Sequence, residues 1–140
     1  IRLAVGPDPP LEALRHTLRH EYMHALLHDL GAEIPTWFHE GLSQLAENPQ
    51  GVSSGNVPAV VPDEGLSALG GDWMNWTGRQ QVAAAYSYTL AFCAWLGEEF
   101  GQTLWSQLFP QIRAWGFEAG WHKVFALSPA ELDARFREPR

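Results

Sequence analysis

Apolar residues recur every three or four positions early in the chain, at Leu14, Leu18, Met23, Ala25, Leu26, Leu27 and Leu30. That spacing predicts a helix over about 11–30, stopped by Gly31. Apolar on most of its sides, such a helix is expected to be buried. Upstream, residues 1–5 alternate and are β-prone, so a short strand is expected, broken by Gly6-Pro7-Asp8-Pro9-Pro10. Asp8 is placed to cap the helix, with Pro9 or Pro10 in its first turn. A second periodic segment covers 37–47, with Thr36 as its expected cap. Residues 48–76 lose the periodicity and are rich in Gly, Pro, Ser and Asn; an extended piece is expected at 57–61 and a helical turn at 63–69. A third helix, about 77–100, is strongly apolar from Ala83 to Leu96 and closes at Gly101, which marks it as a core element. Further helices are predicted over 102–115, where Pro110 should break or kink the turn, and over 121–127. Ser128-Pro129-Ala130-Glu131 is a capping box opening a last helix to about 137. The expected class is mainly α, α+β at most, in one domain over 1–140.

Composition narrows the function. Nearly half of the residues are apolar and seven are Trp, enough for one real core. Trp105, Trp115, Trp121 and Phe125 are expected in that core. The net charge of −7 argues against nucleic acid or an anionic membrane as partner. No apolar run reaches the length of a membrane span, so no membrane contact is expected from this segment. Cys93 is the single cysteine, which excludes an internal disulfide and a Cys-rich zinc cluster; in its apolar stretch it reads as a small buried hydrophobe. The first residue is Ile and no signal-peptide pattern follows, so the segment reads as a domain excised from a longer chain. The missing parts have room for a signal, an anchor or the rest of a sheet, and an extracytoplasmic or membrane-associated place through them is the expectation.

The chemistry lies inside the first helix. His20-Glu21-Tyr22-Met23-His24 is an H-E-x-x-H match. Six His and eleven Glu give a chance expectation of roughly 0.02 such matches, so composition alone does not produce it. Residues four apart share one helix face, so His20 and His24 are able to aim two imidazoles at one ion. Glu21 sits one step round, within reach of a water on that ion, where a general base belongs. His16 and His28 extend the run at the same spacing, but the outer pair stand about 18 Å apart along the axis. They are expected to make supporting or surface contacts.

A catalytic zinc keeps three protein ligands and an open position. Glu40, sixteen residues after His24 and early on the second helix, is the candidate third ligand. Gly41 beside it should let the first two helices approach closely. His39 is the rival; it points about 100° away, so only one of the two faces the ion. Asp29 and Glu33 are weaker rivals.

Residues 35–43, Pro-Thr-Trp-Phe-His-Glu-Gly-Leu-Ser, together with the H-E-x-x-H helix, resemble the gluzincin branch of zincin metallopeptidases, most closely the bacterial peptidase MA-like domains. Metzincins do not fit, because their third histidine would fall on Leu30. The resemblance implies a zincin-like helical core holding one Zn²⁺ through His20, His24 and Glu40. It also implies a tyrosine fifteen residues before the closing Gly101, which is Tyr86, as an oxyanion donor. Tyr88 lies about 200° further round the helix, so the two cannot share the role. Phe100 stands where the family usually has Tyr. The implied activity is hydrolysis of a peptide or protein substrate. The length of the 48–76 loop, read by itself, suits either a wall of the substrate cleft or a solvated linker with no role. Two rivals are a zincin-type module that binds zinc without cleaving, and a plain helical domain without metal. A di-iron bundle wants two Glu-x-x-His units, and only Glu21-Tyr22-Met23-His24 is present.

Overall fold

The computed structural model describes residues 10–47, 65–69 and 73–138. Six α-helices follow in order: α1 Leu11–Asp29, α2 Thr36–Glu47, α3 Arg79–Phe100, α4 Leu104–Trp115, α5 Phe117–Phe125 and α6 Pro129–Phe136. Short 3₁₀ turns lie at Gly65–Leu69 and Trp73–Asn75, and the described residues include no strand. The chain is therefore mainly α. The expected strand at 1–5, the Asp8 cap, the extended piece at 57–61 and most of the 48–76 loop fall outside the described residues. Among the described residues, no helix is long and apolar enough to cross a membrane.

The core is built around the start of α2. Helix α2 packs against both α1 and α3, while α4 packs on α5. The first bonds of α2 run from the Phe38 and His39 amides to the Pro35 carbonyl, so Pro35 holds the cap position expected of Thr36. That puts Trp37 and Phe38 at the centre, both buried. Trp37 meets Phe92 of α3 and Phe117 and Trp121 of α5 at ring-centroid distances of 5.7, 6.0 and 5.9 Å, all edge-on. Phe38 reaches Trp121 at 5.7 Å and Trp105 of α4 at 6.3 Å. Burying a side chain of this size contributes about 1.5–3 kcal/mol, so these aromatics fix where α2 sits.

Gly41 brings α2 close to α3, not to α1. A Cβ placed there would stand 2.6 Å from both the Thr89 carbonyl oxygen and Cys93 Sγ. The bare glycine follows Glu40 because the next helix over leaves no room for a side chain. Cys93 is fully buried, and burial pushes its thiol pKa up, as a small core hydrophobe requires.

Other expectations need correcting. Helix α1 is not a buried helix: Leu27 alone of its residues is buried, and Leu11, Leu18, Tyr22 and Leu26 are exposed. Its apolar residues are spread around the axis, and it packs on α2 along one face only. Pro110 does not break α4, which runs through it to Trp115. Pro110 is exposed, so water can reach the Ser106 carbonyl whose bond is lost. Helix α5 starts at Phe117, four residues before the expected Trp121, because Gly116 both closes α4 and opens α5. Trp115 is 61% exposed, with Lys123 Nζ 4.6 Å over its ring, while Trp121 and Phe125 are buried as expected. The capping box of α6 forms in full: the Glu131 amide donates to Ser128 Oγ at 3.2 Å, and the Ser128 amide donates to the Glu131 carboxylate at 2.7 Å.

Candidate metal centre

Helix α1 ends where Gly31 takes a φ of +69°, and the chain turns through Pro35 into α2. The turn lays α2 along the His20–His24 face of α1. Nε2 of His24 lies 3.1 Å from Nε2 of His20 and 3.5 Å from Glu40 Oε1, and His20 Nε2 lies 4.0 Å from Glu40 Oε2. One donor atom from each of the three residues falls within 4.8 Å of the others. Donors bound to one tetrahedral zinc at about 2.0–2.1 Å stand about 3.3 Å apart. The set is two imidazoles and a carboxylate, the donor chemistry zinc takes. The donor chemistry fits the zinc that the sequence implies, and the donors, spread over up to 4.8 Å, stand wider than a bound ion would hold them.

Electrostatics agree. Glu40 is only 7% exposed. Burial raises its carboxyl pKa, His24 and His20 pull it down, and the Glu21 carboxylate pushes it up again. Among the described residues its carboxylate meets ring nitrogens and no fixed cation. Two imidazole nitrogens 3.1 Å apart need a proton or a cation between them. A divalent cation would answer both wants at once.

Of the predicted residues, His20, His24 and Glu40 come together, with Glu21 half-buried and close enough to act on Glu40. His39 does not join the set. Its Nδ1 faces His24 Nδ1 at 3.3 Å, on the far side of that ring, with the rings stacked. Burial, then His24 and His28, lower its pKa. His16 faces Glu12 at 3.9 Å and His28 is exposed, in keeping with supporting or surface places.

The two tyrosines part company. Tyr88 is fully buried, and its hydroxyl donates to Asp133 of α6. Tyr86 is half-buried; its ring meets Trp73 edge-on at 5.0 Å, and its pKa is raised by burial and by the charge of Glu40. Gln44 ties this side together: its amide lies 3.2 Å from the carbonyls of both Glu40 and Tyr86. The tie holds α3 against α2 beside the candidate ligand. Trp73, near the end of the loop region, is a buried anchor, whereas Met74 and Trp76 are exposed.

Two contacts were not foreseen. One is Gln44; the other is Glu47, whose Oε2 lies 3.3 Å from His20 Nδ1. Both lie one and two turns after Glu40 on α2, and that spacing was the signal available. No protein-family model matches the chain, and no curated protein and no solved structure matches it.

Proposed function

We propose that this chain is a zinc-dependent peptidase domain that hydrolyses peptide bonds. The observation that carries the reading is the clustering of His20, His24 and Glu40, with one donor atom of each within 4.8 Å of the others, and with Glu21 beside them on α1. The resemblance to gluzincins names the same residues. Zinc held there would supply Lewis acidity and lower the pKa of water from about 15.7 to near 7. The Glu21 carboxylate takes the proton of the attacking water and passes it to the leaving amine. The Tyr86 hydroxyl donates to the oxyanion as the carbonyl becomes tetrahedral. Its raised pKa keeps that proton in place at neutral pH. Glu40, lying against both imidazoles, offsets positive charge in the centre.

Cleavage of casein, with and without a chelator, tests this on the wild type and Glu21→Gln. The variant should keep its zinc and lose about 10²–10⁴ in turnover. Full turnover in Glu21→Gln would overturn the general-base role. A wild type that holds zinc and cleaves nothing would leave the non-cleaving zinc module as the better reading.

A further inference from the structure

The two histidines of the candidate centre differ in what holds their outer nitrogens. His20 Nδ1 faces Glu47 Oε2, and His24 Nδ1 faces His39 Nδ1, each at 3.3 Å. A histidine that ligates through Nε2 carries its proton on Nδ1 and must donate it. A carboxylate is the stronger acceptor, with two oxygens and a full charge. His39 offers one lone pair, and only in one tautomer. Glu47 closes α2, seven residues after Glu40. Two turns of one helix thus present to α1 both a candidate ligand and an acceptor for its neighbour.

We infer that Glu47 is a positioning residue for the metal centre, acting through the imidazole of His20. By accepting a hydrogen bond from Nδ1–H it selects one tautomer and one ring rotation. That rotation keeps Nε2 aimed at the point shared with His24 and Glu40. Without it, the half-buried ring has no fixed acceptor at Nδ1 among the described residues. Glu47 contributes little to folding, because its side chain is 38% exposed and ion pairs that open to water are weak. The inference rests on the zinc reading of the site, and it separates metal affinity from fold stability.

Zinc affinity is measured on the full chain by competition with a chromophoric chelator, for wild type, Glu47→Ala, Glu47→Gln, His39→Ala and, as ligand-loss control, His24→Ala. Urea unfolding of each zinc-free form runs alongside. Glu47→Ala should bind zinc about 10–100-fold more weakly with zinc-free stability unchanged. Glu47→Gln, which keeps an acceptor oxygen, should recover part of that loss, and His39→Ala should lose less than Glu47→Ala. Wild-type affinity in Glu47→Ala, with binding abolished in His24→Ala, would overturn the role of Glu47 and leave the centre standing. A wild type that binds no zinc would overturn both. Weakened binding matched by an unstable zinc-free fold, with no recovery in Glu47→Gln, would place Glu47 in the fold of α2 and overturn its positioning role.

Discussion

Glu40 and Asp133 are both buried carboxylates, and the fold treats them differently. Asp133, 1% exposed, accepts from the Leu66 amide at 3.1 Å, from the Tyr88 hydroxyl, and from Arg137 Nε at 3.3 Å. Every one of those donors belongs to the chain, and together they fasten the Gly65–Leu69 turn and α3 to α6. Glu40 has no such donors among the described residues. It faces two imidazoles and stands within the influence of a second carboxylate, Glu21. A buried charge that its own chain satisfies is a fastener. A buried charge left facing two ring nitrogens is a site suited to a cation.

Removing each group in turn should separate the two. Asp133→Ala strands the Tyr88 hydroxyl, the Leu66 amide and Arg137, and should cost about 3–5 kcal/mol in urea unfolding. Glu40→Gln, measured zinc-free, should cost nothing and is expected to stabilise, because a neutral amide escapes the desolvation that raises the Glu40 pKa. Equal losses in the two variants would erase the distinction.

The neighbouring tyrosines sharpen it. Tyr86→Phe should lower peptide turnover by about 10²–10³ while leaving the unfolding midpoint in place. Tyr88→Phe should do the reverse, weakening the fold by about 1–3 kcal/mol through the donor withdrawn from Asp133 and sparing turnover. Exchange of those two phenotypes would mean that the oxyanion donor had been assigned to the wrong residue.

The smallest expected effect concerns the start of α6, the helix that carries Asp133. The Ser128 amide and hydroxyl hold the Glu131 carboxyl below its ordinary pKa. A group whose pKa is depressed by folding adds stability above its unfolded value, and that stability is lost as pH falls through the folded value. Amide protection at the first turn of α6, taken relative to the intrinsic exchange rate at each pH, should therefore fall on acidification below the usual carboxylate range, and Glu131→Gln should abolish that dependence. A pH response unchanged in Glu131→Gln would place its origin elsewhere.

Much of this was legible locally. Gly31 and Gly101 end helices where the periodicity stops, the capping box forms as its spacing says, and the H-E-x-x-H helix presents its two histidines together. What depends on how helices cross was not legible. Gly41 reads as a close-approach residue, yet nothing local says that the partner is α3. Glu47 is an ordinary helix-end glutamate until α1 is laid beside it. Trp115 and Trp121 look alike in the sequence and differ entirely in burial. The apolar residues of α1 suggested a buried helix, but they cover too many sides of it for its one packed face to bury.

The claim on which the rest depends is that His20, His24 and Glu40 hold one zinc ion. Elemental analysis of protein purified without added metal, beside the His24→Ala variant, tests it directly. About one zinc per chain is expected in the wild type and none in the variant. Metal-free wild type that takes up no zinc when it is supplied would overturn the metal centre, and the helix with four histidines would then be only a surface helix.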